Sequence, residues 1–360
     1  MSTTPTLSEQ APGQPQAKVK SPKMPINFAG MRKELGIFGL LLVVCIITAS
    51  KSPAFLGADN VQNLARLVGI YGIFSIGAGI VIMTGGIDLT VGSVFALEGV
   101  VLAMALNNWN WNPALAIIGV IIMTMMLGVI HGLLITKVPL QPFIVTLCGL
   151  MIYRGLARYV SGDSTEGFGD GTGYTGLMNL ATGSVDFHFN FSHYLIQTVV
   201  PNPFIVMVVI AVVMWVVIHR SVYGRYLFAV GRSEEAARYS GIKSNAIIAS
   251  AYIVAALLTA IAGILLAFYT NSISPSSHGQ SYELYGIAAA VLGGCSLRGG
   301  EGSVIGVLIG TTLLQVLQNL VNLLGIPSSL NFAVVGTVIL LGVIADEIVK
   351  RRSAKKAVAK

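Results

Sequence analysis

Two carboxylates stand in apolar surroundings. Glu98 lies in the middle of VGSVFALEGVVLAMAL, and Asp88 sits shortly before it in the glycine break GGIDLT. An ionised carboxylate at membrane depth costs roughly 3 kcal/mol or more unless protein or water surrounds it. Glu98 is therefore expected to point inward, either lining a path or held as a hydrogen-bonded structural group. Together the two acids offer the groups a proton carrier needs. Asp88, directly ahead of Leu89-Thr90-Val91, also reads as the N-cap of the next helix, with an indirect part in gating.

Four amides, Gln315, Gln318, Asn319 and Asn322, recur at helical spacing. They either hydrogen-bond between helices or line a hydrophilic passage, where they suit hydroxyl groups, each of which both donates and accepts. Arg154, Arg158 and Glu283 fall near predicted outer helix ends. Snorkelling to the interface accounts for the arginines, and contact with a solute's hydroxyls is the alternative. His131 stands alone without metal-ligand spacing around it, the pattern of a packed structural histidine. The chain has no paired carboxylates, metal cluster, nucleophile–base arrangement or GxxxxGK[ST] phosphate loop, which argues against an enzyme.

The elements that hold these residues are set by composition. Apolar residues are 54% of the 360 and charged residues 10%, with mean hydropathy +0.78. A water-soluble core needs far less, so the chain is an all-α integral membrane protein in a lipid bilayer. The net charge of +7 does not indicate nucleic acid, because the basic residues cluster at the ends of apolar runs and no basic face is interleaved with aromatics. Cys45, Cys148 and Cys295 fall in or beside apolar runs, where a disulfide framework is out of place.

Apolar length set against Gly and Pro breakers predicts about ten spanning helices. They lie near 35–55, 62–83, 90–106, 113–136, 140–160, 203–219, 246–269, 283–295, 303–324 and 329–348. Residues 1–34, rich in Pro, Gln, Ser and Thr, read as a flexible cytoplasmic tail, and the first apolar run from Leu35 is not expected to be a cleaved signal, since no small-residue cleavage site follows it. The membrane-spanning domain then covers 35–349, and 350–360 is a basic tail. Lys and Arg are retained on the cytoplasmic side. With the amino terminus inside, 18 of the 22 basic residues fall inside, so both termini are expected in the cytoplasm. The segment 161–201 is then external. It carries Asp163, Glu166, Asp170 and Asp186 and no Lys or Arg, and either faces an external partner or is a plain solvated loop.

Two stretches echo each other weakly, IVIMTGGIDLTVGSVFAL (80–97) and AAVLGGCSLRGGEGSVIGVL (289–308), and a second pair is 138–155 with 326–342. Under the assigned topology they form an inverted repeat, the pattern of transporters whose path lies at the repeat interface. Glycine breaks at membrane depth are tolerated only where protein or water satisfies the backbone.

The basic loop 220–245 contains GRYLFAVGRSEEAARYSGI (224–242). Ser233 reads as an N-cap, Glu234 and Glu235 favour the positive helix end, Ala236 and Ala237 are strong helix formers, and Gly241 closes the helix before Ile242. Such a helix on the cytoplasmic face reads as a docking element, with Ala236 and Ala237 permitting close approach and Arg232, Glu234 and Arg238 at its rim. A solvated connector is the plainer alternative.

This stretch resembles the ATPase-coupling loop of permease subunits in the ribose-type monosaccharide family of bacterial ABC importers. GGIDLTVGS (85–93), PFIVTLCGLMIYRG (142–155), YELYGIAAAVLGGCSLRGGEGSVIGVLIG (282–310) and NLLGIPSSLNFAVVGTVILLGVIADE (322–347) agree in order. The resemblance implies a fold related to the vitamin B12 importer type, in the bacterial inner membrane. It also implies a second permease subunit, two cytoplasmic ATPases and an external sugar-binding protein. No cofactor is expected on this chain, ATP and Mg belonging to the ATPase. The resemblance places coupling at Gly224, Arg225, Gly231, Arg232, Ser233, Glu234, Glu235, Ala236, Ala237, Arg238, Gly241 and Ile242. Asp88, Glu98, Glu283, Gln315, Asn319 and Asn322 are the candidates for the translocation path.

Overall fold

A computed structural model gives the structure of the protein. It describes residues 28–327 except 172, 192 and 193, together with 330, 333, 334, 336, 337, 340 and 344. Side chains at 28–33 and 187–198 are left aside. The amino tail to residue 27, the expected span at 329–348, the second echo segment and the carboxyl tail from 350 lie wholly or largely outside the described residues.

The order of elements is α1 (Phe28–Lys51), a 3-10 turn (Pro53–Leu56), α2 (Ala58–Met83), α3 (Val91–Asn107), α4 (Pro113–Lys137), α5 (Pro142–Val160) and α6 (Thr175–Thr182). A hairpin of β1 (Ser184–Phe191) and β2 (Tyr194–Pro201) follows, then α7 (Asn202–His219), α8 (Val222–Arg232), α9 (Glu234–Tyr239), α10 (Ser244–Thr270), α11 (Tyr282–Leu292) and α12 (Val304–Leu323). Among the described residues, seven helices are long and apolar enough to cross a bilayer: α1 from Glu34, α2, α4, α5, α7, α10 and α12. The apolar helices α3 and α11 are shorter. The chain is thus a mostly helical, multi-pass membrane protein. Proline opens α4, α5 and α7 at the first turn, where its missing N–H is harmless.

Burial sorts the helices. Windows of α2 and α10 are 89% and 78% buried, against 22% for α4 and 28% for α7, so the first two form the centre and the others face outward. Small residues make the centre tight, because glycine lets helix backbones approach closely. Gly69 of α2 packs on Pro203 of α7, Gly77 on Ala255 of α10, and Gly79 on Val307 of α12. Gly128 and Gly132 of α4 receive Tyr252 and Ala249 of α10, and Gly293 and Gly306 bring the ends of α11 and α12 together.

Three expectations change. First, the helix α1 begins at Phe28, before the apolar run at Leu35. Second, the stretch 161–201 is not a plain loop: it holds α6 and an antiparallel hairpin pairing Ser184 with Pro201 through Phe191 with Tyr194. The described residues are therefore helical with one small β hairpin. Third, the basic loop 220–245 folds as two helices, because Ser221 caps α8 through Gly224 N at 3.3 Å before α9 begins.

Candidate functional site

The helix α9 starts and stops where its residues dictate. Ser233 Oγ accepts from Ala236 N at 3.2 Å, Arg238 donates to Glu234 at 2.6 Å one turn back, and Gly241 takes the left-handed conformation (φ 82°) that ends the helix. Ile242 N donates back to Ala237 O at 3.0 Å. Glu234, Glu235, Ala236, Arg238 and Tyr239 are exposed, Tyr239 at 84%. Ala237 is buried at 4%, so it faces the chain and not a partner, contrary to the expected outward pair of alanines. One helix face can turn inward only, and the Ala237 methyl is on it.

The helix α8 buries Gly224, Leu227 and Val230 and leaves Arg225 exposed. Its end touches both glycine breaks of the internal echo. A Cβ at Gly231 would collide with Met83 O and Gly300 N, and one at Gly299 would lie 2.5 Å from Gly231 O and 2.9 Å from Gly85 N. Gly300 N donates to Met83 O at 2.9 Å, and Gly300 packs on Arg232. The positive φ of Gly85, Gly299 and Gly300 (85°, 80° and 74°) is what lets three backbone segments share this space. The loop thus grips the end of α2 and the connection between α11 and α12 directly.

A second constellation lies further into the bundle, where α3 and α11 both begin. Asp88 is not the N-cap that its place suggests, since Thr90 holds that position; its Oδ1 accepts from Thr90 N at 2.8 Å and from Thr90 Oγ1 at 2.6 Å in a local turn that orders the break ahead of α3. Gly92 lies against Gly279 and the carboxylate of Glu283. Arg154 of α5 does not snorkel outward: its guanidinium donates to His278 O at 2.7 Å, Gly92 O at 3.1 Å and Pro275 O at 3.2 Å. Glu283 likewise sits at this crossing and not at an outer helix end. His131 faces Tyr153 OH at 2.8 Å, beside a cavity of about 10 Å³ lined by Asp88, Thr90, Thr124 and Thr259, room for one water.

The family model described as the branched-chain amino acid transport system permease component matches residues 60–343. The chain belongs to this family. The permease is 39% identical to the ribose import permease protein RbsC of Bacillus subtilis (strain 168), over 89% of this chain and 95% of that one. It is 35% identical to RbsC of Escherichia coli (strain K12), over 85% and 91% of the two chains. It is 29% identical to the D-allose transport system permease protein AlsC of the same organism, over 92% and 97%. No solved structure gives a significant match. The role of the family is that of a transport permease component.

The remaining path candidates separate in the permease. Glu98 is fully enclosed between α3, α4 and α10: Thr124 Oγ1 donates to its Oε2 at 3.0 Å, and Gly263 leaves the room its Oε1 occupies. The four amides do not form one polar surface. Asn319 and Asn60 exchange hydrogen bonds at 2.7 and 3.2 Å, Gln315 is 2% exposed, and Asn322 is open. Replacing Glu98 by Gln keeps the acceptor for Thr124 and the shape of the site, so transport is expected within about twofold of wild type in an uptake assay, with folding intact. Loss of transport in that variant with the protein folded would return Glu98 to the list of carriers.

Sequence reasoning missed α8, whose signal was the spacing of Tyr223, Leu227 and Val230. It also missed the inward bonding of Arg154, whose acceptors are backbone carbonyls without a residue-type signature.

Proposed function

We propose that the permease is the membrane subunit of an ATP-driven importer for a monosaccharide, ribose or a related sugar. The relatives' import of ribose and allose supports the substrate class. The observation that carries the mechanism is α9, which offers Glu234, Glu235, Ala236, Arg238 and Tyr239 outward while α8, behind it, locks into the glycine breaks. A cytoplasmic ATPase pair seats on α9, binds ATP and Mg, and its closure moves α8 against Met83 and Gly300.

In this reading the fold is of the vitamin B12 importer type, with a tenth span at 329–348, an amino-terminal tail ahead of α1 and a basic tail at 350–360. Both termini are cytoplasmic and the membrane is the bacterial inner membrane. The end bearing Lys137, Arg220, Arg225, Arg232, Arg238, Lys243 and Arg298 supports that orientation. The opposite end carries the acidic stretch, whose Asp163 accepts at 2.8 Å from Arg158 in the last turn of α5, an interaction that holds its carboxyl below the usual range. An external sugar-binding protein docks there. A second permease subunit completes the path, which runs past the open side chain of Asn322 and the half-open Glu283. The permease alone binds sugar weakly, since the external protein supplies selectivity.

The test is reconstitution with the ATPase and binding protein in lipid vesicles and uptake of a panel of labelled monosaccharides. Uptake of one sugar that requires ATP is the expected result. Uptake that ignores ATP and collapses with an uncoupler would overturn the reading in favour of an ion-gradient-driven transporter. The enclosure of Glu98 speaks against that alternative.

A further inference from the structure

The segment 271–281 joins α10 to α11 without a regular helix and is partly enclosed: Ile273, Pro275, His278 and Gly279 are buried, while Asn271, Ser272, Ser276, Ser277 and Gln280 are exposed. Ile273 is fully buried and packs on Gly99 of α3, and Gly279 packs on Gly92 and Phe95 nearer the start of that helix. The chain therefore descends along α3 from Gly99 to Gly92 before α11 begins. Asn271 and Ser281 hold φ of 49° and 66°, left-handed conformations that in residues with a side chain persist where surrounding contacts fix them.

Backbone that leaves helical pairing inside a membrane protein must find partners from protein or water. One side chain supplies three of them here. Arg154 takes the carbonyls of Pro275 and His278 on the segment and of Gly92 on α3. A guanidinium suits this task, being planar, always charged and rich in donors. Glu283, in the first turn of α11, lies within the field of Arg154 and against Gly92, so it balances the charge and favours the positive helix start.

The opposite ends of this helical hairpin lead to the coupling loop. Ser244 at the start of α10 donates to Glu234 O of α9 at 3.4 Å. The chain after α11 reaches Gly299 and Gly300, which pack on Gly231 and Arg232. The hairpin α10–α11 is thus held by α8 and α9 at both of its ends and by Arg154 at its tip.

We propose that Arg154, with Glu283, is a positioning residue of the transport cycle: it pins the hairpin tip to the start of α3, so that movement delivered by the loop changes the crossing of α3 and α11. Without the pin the movement is absorbed in the irregular segment. This rests on the ATP-driven importer reading.

The test compares Arg154→Gln, Arg154→Lys and Glu283→Gln in the full complex in vesicles, measuring sugar imported and ATP hydrolysed together. Arg154→Gln is expected to hydrolyse ATP near the wild-type rate while sugar imported per ATP falls about tenfold, as for loss of charge-assisted hydrogen bonds. Arg154→Lys recovers part of the ratio, and Glu283→Gln lowers it several-fold. An unchanged ratio in Arg154→Gln overturns the proposal, as does a parallel fall of uptake, hydrolysis and assembled complex that Lys does not rescue when Glu283→Gln also keeps its ratio. If Arg154→Gln fails to assemble, Glu283→Gln decides: an unchanged ratio overturns the proposal and a lowered one supports it. Wild-type uptake that needs no ATP would instead count against the importer reading itself.

Discussion

Replacing Glu235 or Ala236 by Arg is expected to lower ATP-driven uptake by about 30-fold or more, the size of a 2 kcal/mol loss at an interface hot spot, while the membrane chain stays folded. Both side chains are exposed on α9. Glu235 makes one weak internal bond, accepting from Tyr239 OH at 3.5 Å, and its place in the first turn is worth about 0.5 kcal/mol through the helix dipole. Neither contribution threatens a membrane-embedded core. A bulky cation on this face instead clashes with whatever docks there and reverses its charge pattern. Ala237→Arg does not serve the same purpose. Its methyl is 4% exposed, and a guanidinium there must break the seat of α9 on its own chain. Uptake and thermal denaturation measured side by side separate the two effects. Wild-type uptake in both Glu235→Arg and Ala236→Arg would show that α9 is a connector and not a docking surface.

Much of the fold is legible because lipid makes a simple demand. An apolar run of sufficient length must be a helix, and Pro and Gly mark where it stops. The cap at Ser233 and the stop at Gly241 are legible for a related reason: both depend on residue type within one turn, with no tertiary information required. The β-hairpin was also within reach. SVDFHFNF alternates apolar Val185, Phe187, Phe189 and Phe191 with Asp186, His188 and Asn190, the two-residue period of a strand. The acidic, lysine-free character of the whole segment hid that local pattern.

Other features were not written in residue types. Gln315 and Asn319 share a helical face by spacing, but spacing does not reveal that Asn60, on a helix far away in sequence, takes up Asn319 reciprocally. Arg154 looks in sequence like any arginine near a helix end. Its role follows from three carbonyls that only the folded chain brings together. Glu98 is similar: its position in the run is plain, but its enclosure depends on the missing side chain of Gly263 and the hydroxyl of Thr124.

The joint between α8 and the glycine breaks gives the second large effect. Gly231→Ala places a methyl against Met83 O and Gly300 N, both backbone atoms that cannot rotate away. Overpacking of this kind costs about 1–3 kcal/mol. Here the strain falls on the contact through which α9 reaches α2 and the chain between α11 and α12, so uptake is expected to fall at least about tenfold, the equivalent of 1.4 kcal/mol in the contact. Gly241→Ala is the matched control. Its φ of 82° disfavours any side chain, by about 1–2 kcal/mol. Yet the space around it is open, with no atom within 4 Å of an added Cβ. The two substitutions thus carry comparable stability costs in different places. Chemical denaturation of each variant, plotted against uptake, distinguishes the cases. If the joint transmits movement, Gly231→Ala loses far more uptake than its stability predicts, while Gly241→Ala loses only what its stability predicts. If both variants fall on one line, the close packing of Gly231, Gly299 and Gly85 holds the end of the bundle together and transmits nothing. The force from α9 must then reach the membrane helices through other contacts of the loop, such as Ser244 with Glu234 and Tyr223 with Ser250 of α10.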